Sequence, residues 1–220
     1  MTTSYTAENY LKAIYHLGIE SGSGNTSTNS IAEYMLIKPA TVTAMLKKLK
    51  EKKFISYEKY GKVSLTKKGL EIALYIVRKH RLWEVFLVEK LHFTWDEIHV
   101  VAEQLEHIQS TKLIDQLDAY LGFPELDPHG DPIPDQKGVL KQIPNTTLHQ
   151  ASEGKEYQVV AVKDTSTEFL QYLMQLQITL STRIKVVRRI QFDQSLLITV
   201  NGGKEINVSE KFSHHIIISL

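Results

Sequence analysis

The chain is expected to be a multi-domain, mainly α protein: an N-terminal winged helix-turn-helix, a helical middle and a C-terminal small β-barrel. Three observations lead there. Apolar residues recur at helical spacing through most of the first 121 residues, interrupted by one hairpin pattern. Residues 122–138 hold four prolines (124, 128, 132, 134) and three glycines (122, 130, 138), an irregular stretch that marks a boundary. From about residue 148, short runs with glycine turns replace the helical period.

The elements follow in order. Residues 6–17 predict a helix, because Ala7, Tyr10, Leu11, Ile14 and Leu17 share a face and Thr6 can cap. Residues 21–28 read as a Ser/Gly/Asn loop, and Asn29 and Ser30 can cap a short helix over 31–35. After a break at Lys38, Pro39 suits the start of a helix over 40–52, with Val42, Met45, Leu46 and Leu49 as its apolar face. Two short helices at this spacing make a helix-turn-helix. Strands at 54–57 and 62–65 flank Lys59, Tyr60 and Gly61, a hairpin that would form the wing. Thr66 caps a long helix to about residue 91. Helices follow at 95–108, started by Thr94 or Trp95-Asp96, and at 111–121. Strands are expected at 157–162, 183–187, 196–200, 205–208 and 215–219, with a helix at 168–176. The domains so drawn are 1–72, 73–137 and 148–220.

Composition narrows the function. The absence of cysteine excludes disulfides and thiolate metal sites and suits a reducing cytoplasm. No apolar run reaches 18 residues, so no membrane helix is expected, and the N-terminus lacks the pattern of a signal peptide. Net charge is only +1, yet it is unevenly spread. Residues 38–68 carry ten lysines against two glutamates, a net of +8, and residues 84–135 carry twelve acids against two lysines, a net of −10. A polyanion-binding part beside a cation-binding part is the direct implication.

The acidic part has its own pattern. His80 and Glu84 are four residues apart, and His99, Glu103, Glu106 and His107 stand at relative positions 0, 4, 7 and 8. On one helix those four would fall within an arc of about 100°. Imidazoles and carboxylates there are the donors of borderline and hard dications. Clustering them is costly unless a cation neutralises them.

The strings TAENYLKAIYHL, IAEYMLIKPATVTAMLKKLKEKKFI, VSLTKKG, VRKHRLWEVFL, AEQLEHIQS and PHGDPIPD together resemble the diphtheria toxin repressor and manganese transport regulator family. The match is in good register over the first 135 residues and looser over the last 75. The resemblance implies a winged-helix domain, a helical dimerisation domain and a C-terminal SH3-like (FeoA-like) domain. It implies a homodimer that represses metal-uptake genes by binding double-stranded operator DNA when loaded with divalent metal. Mn(II) is the expected activator, Fe(II) the alternative, and Co(II) or Zn(II) are expected to substitute in vitro.

The resemblance places one metal site at Asn9, Glu103, Glu106 and His107. Iron-sensing members have Met and Cys at the first two positions, and short manganese-sensing members have Asp and Glu. Here the residues are Asn9 and Glu103, and a hard carboxylate favours Mn(II). A second site maps to His80, Glu84 and His99, with Asp127 and His129 of an Asp-Pro-His-Gly turn and Glu168 as further candidates. The short regulators have a carboxylate one turn after residue 9, where this chain has Lys12, so their binuclear arrangement is not expected. No site is assigned to His214 and His215, expected to be exposed strand residues.

For DNA, the helix over 40–52 is the recognition helix, and its N-terminal residues should enter the major groove. Ala40, Thr41, Thr43 and Ala44 can reach base edges or thymine methyls, and Pro39 begins the helix. Lys38, Lys47, Lys48, Lys59, Lys62 and Tyr60 are candidate phosphate contacts. Metal would tie the first helix to the dimerisation helices, and without it the carboxylates would repel. Two other classes compete. A metal hydrolase lacks support, because there is no H-E-x-x-H and no substrate loop. A winged-helix regulator that does not sense metal would leave the His/Glu pattern unexplained. No membrane and no small-molecule substrate are expected.

Overall fold

The computed structural model describes residues 3–57, 62–141 and 146–219. Two compact units share the chain. The first comprises residues up to 83 together with 102–122 and 133–140, and the second 84–101, 123–132 and 141 onward.

In the first unit α1 spans Tyr5–Ile14. Its cap is Ser4, whose Oγ accepts from Ala7 N, rather than Thr6. Ala7, Tyr10, Leu11 and Ile14 are buried as their spacing demands. The helix does not run to residue 17 in α form but widens into a π turn, Tyr15–Glu20. Helix α2 is Thr28–Tyr34, capped by Ser27 instead of Asn29 or Ser30, and α3 is Pro39–Glu51 with proline in its first turn. Val42, Leu46 and Leu49 of α3 join Leu11, Ile14 and Ile31 in one core. Strands β1 (Ile55–Tyr57) and β2 (Val63–Leu65) pair antiparallel, and Thr26 bridges to Val63 beside them. Helix α4, Lys67–Leu91, starts at Thr66, whose Oγ1 accepts from Gly69 N at 3.1 Å. A Cβ on Gly69 would sit 1.9 Å from Phe54 O, so only glycine lets this first turn lie against the wing.

Helix α5, Ile98–Leu105, is shorter at both ends than the pattern over 95–108. Residues 95–97 form a turn in which Thr94 Oγ1 bonds Asp96 and Glu97, and Glu106 and His107 leave the helix in a turn. Helix α6, Thr111–Tyr120, is capped by Ser110. Buried Arg78 of α4 holds Asp118 of α6 at 2.8 Å and the carbonyl of Pro134 at 2.8 Å.

The second unit contains a six-stranded antiparallel sheet in the order β3-β8-β4-β5-β6-β7. The strands are β3 Thr146–Thr147, β4 Glu156–Val162, β5 Arg183–Arg189, β6 Leu196–Val200, β7 Glu205–Val208 and β8 Ile216–Ser219. Bulges interrupt β4 between Val159 and Ala161 and β5 between Val186 and Arg188, the device that bends an antiparallel sheet. Helix α7, Thr167–Gln175, buries Leu170 and Leu173 in the same core as Val159, Ile184 and Ile198. Neither His214 nor His215 is in a strand: both lie in α8, Glu210–His215, and His215 is half-buried.

Candidate metal centre

One stripe of α1 carries buried Glu8 and Lys12 and half-buried Asn9. All three belong to the first unit, with His80 of α4 and the residues at the end of α5. Lys12 Nζ lies 2.6 Å from Glu103 Oε2 and 2.7 Å from Glu106 Oε2. The expected carboxylate repulsion is therefore corrected, because an ammonium from the chain itself sits between the two acids. Burial pushes the Lys12 ammonium down, but Glu106 and Glu103 outweigh it and hold its pKa above the ordinary value. Burial likewise raises the Glu106 carboxyl, yet the His80 hydrogen bond and Lys12 bring it below the usual carboxylate range. His80 Nδ1 is 2.6 Å from Glu106 Oε2. His80 was expected in the second site, and its Nδ1 serves the first.

The same oxygen of Glu106 thus receives both partners. Its Oε1 has none and lies 3.5 Å from His107 Nε2. His107 turns its other nitrogen, Nδ1, to Glu8 Oε2 at 2.7 Å. Three buried atoms here have no hydrogen-bond partner: Asn9 Oδ1, Glu106 Oε1 and His107 Nε2. Buried polar atoms are normally paired, so these three are free to take an ion or a water. All three are lone-pair donors, two oxygens and one imidazole nitrogen, which is a set suited to a borderline or hard dication. Two donors each about 2.1 Å from one ion sit roughly 3 Å apart when adjacent, close to the Glu106–His107 spacing. The residues present fit a divalent metal.

A second group lies in the second unit. Glu84 Oε1 is 3.6 Å from His99 Nδ1 and 3.8 Å from His129 Nε2. Glu84 and His129 are buried, while the His99 side chain is 57% exposed. His80 precedes Glu84 by one turn of α4. His129 is placed by a turn in which Asp127 Oδ1 accepts from the backbone N–H of His129 at 2.8 Å and of Asp131 at 3.0 Å. Gly130 of that turn has φ +89°, and a Cβ there would lie 2.0 Å from Val160 O. The irregular proline-rich stretch is thus built to press His129 against β4. Glu168 is exposed on α7 and joins no cluster of metal-capable side chains among the described residues. His99, Glu103, Glu106 and His107 do not act as one face: His99 turns to Glu84 and the others gather near Lys12. A further trio, His149, Glu210 and His214, has its donor atoms grouped in the second unit, but Arg189 Nη1 lies 3.3 Å from His149 Nδ1. Glu210 and His214 of that trio are also exposed, unlike the buried Glu106.

The residues expected to meet DNA lie at the surface where they are described. Lys38, Pro39, Ala40, Thr41, Ala44, Lys47, Lys48 and Lys62 are exposed. Thr43 is half-buried and donates its hydroxyl to Pro39 O at 3.0 Å, leaving its oxygen to accept. Lys59 and Tyr60 lie outside the described residues.

Sequence reasoning missed Glu8 and saw Lys12 only as a departure from a pattern. The available signal was an acid and a base four residues apart, each bordering the apolar stripe of a short helix.

Residues 2–63 match the family model described as "Iron dependent repressor, N-terminal DNA binding domain", and 66–135 match "Iron dependent repressor, metal binding and dimerisation domain". Residues 146–220 match the FeoA domain. The chain is 33% identical to the HTH-type transcriptional regulator MntR of Bacillus subtilis, over 67% of this chain and 97% of that protein. It is 33% identical to the iron-dependent repressor IdeR of Mycobacterium tuberculosis (strain ATCC 25618 / H37Rv), over 59% of this chain and 55% of that protein. A solved structure of a manganese-dependent transcriptional repressor in complex with manganese is similar with TM-score 0.84 and 32% identity, covering 96% of this chain and 98% of that one.

Proposed function

The chain belongs to the iron-dependent repressor family, which embraces the manganese regulators, and on that premise we propose that it is a Mn(II)-responsive repressor of metal-uptake genes. It is a metal-dependent transcriptional regulator that binds DNA through a winged helix and dimerises; it is not an enzyme. The reading assigns DNA binding to residues 1–72, metal binding and dimerisation to 73–137 and an SH3-like domain to 148–220, in a cytoplasmic homodimer. Asn9, Glu103, Glu106 and His107 hold the activating metal, and Glu84, His99 and His129 serve a second.

One observation supports this reading above the rest: three buried lone pairs, on Asn9, Glu106 and His107, have no hydrogen-bond partner. The donors are oxygen and nitrogen without sulfur, which favours Mn(II) over softer ions. When bound, the dication supplies positive charge and directed coordination. The chain does the rest. Asn9 belongs to α1, which shares a core with α2 and α3. Glu106 and His107 belong to the turn after α5. Linking them couples the placement of α1, and through its core the recognition helix α3, to metal occupancy. In a homodimer two such helices must stand about 34 Å apart to enter successive major grooves.

The test is an operator-binding titration across Mn(II), Fe(II), Co(II) and Zn(II), with the operator selected from random duplexes. Mn(II) should tighten binding by about 5–150-fold. Unchanged DNA affinity with Mn(II) overturns the reading, and a response to Fe(II) alone replaces it with iron sensing.

A further inference from the structure

The geometry points to Glu8 as the positioning residue for metal capture, holding the proton of His107 on Nδ1 so that the Nε2 lone pair faces the metal. This rests on the metal reading above and adds to it a residue that itself touches no metal.

The Glu8 side chain is 2% exposed. A buried carboxylate requires donors, and Glu8 has three. Oε1 accepts from Thr3 Oγ1 at 2.6 Å and from Gln109 Nε2 at 3.0 Å, and Oε2 faces His107 Nδ1 at 2.7 Å. An ionised carboxylate only accepts, so the His107 contact needs a hydrogen on Nδ1. A neutral imidazole protonated there carries its lone pair on Nε2. That is the atom found buried, unpartnered and 3.5 Å from the equally unpartnered Glu106 Oε1. The other tautomer would set a lone pair against a carboxylate and aim an N–H at the ligand oxygen.

The rest of the contact resists rearrangement. The Tyr5 ring lies 3.8 Å from the imidazole, centre to centre. Gln109 spans Glu8 and the His107 carbonyl, bonding the latter at 3.1 Å. Glu8 also precedes Asn9 on α1, so one helix supplies both a metal donor and the group that orients another. Displacing α1 removes both together. Metal affinity therefore senses the placement of α1, and by reciprocity operator DNA that favours that placement raises metal affinity.

Two measurements test this on the full chain. In the wild-type protein without metal, the ring-nitrogen NMR shifts of His107 should report Nδ1–H and a bare Nε2. Glu8→Gln keeps the shape and removes the charge, and should weaken Mn(II) binding by about 10–100-fold, as loss of an outer partner does. Mn(II) affinity is read by electron paramagnetic resonance of free ion, with His107→Ala alongside. A purely structural Glu8 would lower the thermal midpoint and leave the affinity of the folded protein unchanged. A proton on Nε2 in the wild type overturns the proposal, whether or not the variant folds. So does Glu8→Gln binding within about twofold of wild type while His107→Ala has lost the ion that His107 holds. If His107→Ala binds like wild type, the metal reading itself falls, and Glu8 has no ligand to position.

Discussion

At the scale of single residues, Lys12 decides the charge balance of the site. Glu106 is wholly buried, and its carboxylate is tolerable because Lys12 and His80 both meet Oε2. Removing one partner of a buried pair leaves the other charge uncompensated, at a cost of about 3–5 kcal/mol. Lys12→Met keeps the stem and deletes the ammonium. In metal-stripped protein it should lower the thermal midpoint by roughly 6–20 °C, at ~2–4 °C per kcal/mol for chains of this size. Differential scanning calorimetry reads this directly, and a midpoint unmoved by the substitution removes Lys12 from the account.

At the scale of elements, the π turn after α1 is the telling departure from a regular helix. Within it His16 meets Glu20, four residues on, and Glu20 also meets Arg81 of α4 at 2.6 Å. Burial raises the Glu20 carboxyl, but the hydrogen bond and charge of His16, with Arg81, take it down to about 2. The ordinary value is 4.5, so the folded-state pKa is depressed. Stability from this group is fully present above pH 4.5 and is lost as pH falls toward 2. His16→Ala should therefore flatten the acid limb of the stability curve between those values. Thermal midpoints measured across that window in both proteins check it, and parallel curves would deny the His16–Glu20 pair this role. Much of α1 itself was legible: the spacing of Ala7, Tyr10, Leu11 and Ile14 names the buried face. The π turn was not, because nothing in the local spacing of 15–20 announces a wider turn held by a distant arginine.

At the scale of the whole molecule, the metal acts by mass action on whichever state holds the assembled donors. Free Mn(II) at 100 times its dissociation constant stabilises by about 2.7 kcal/mol. For a chain of this length that is a rise of ~5–11 °C in the unfolding midpoint. Asn9→Leu, shaped like the amide but without a donor, should shrink the rise. A full-sized shift in that variant would take Asn9 out of the ligand set. The same scale explains why the His/Glu stripe misled. His99, Glu103, Glu106 and His107 are spaced for one helical face, yet α5 ends at Leu105, His99 turns to Glu84, and Glu103 and Glu106 share Lys12.

Sequence alone determined the helical periods, the helix-turn-helix pair, the switch to strands near residue 148 and which side chains are able to ligate. Those depend on neighbours within a turn or on composition, and both are written in the order of residues. The tertiary structure alone decided which ligating atoms meet. The Lys12–Glu103 and Glu8–His107 contacts join residues 91 and 99 positions apart. Pairings of that separation arise from packing of whole elements, and no local pattern encodes them.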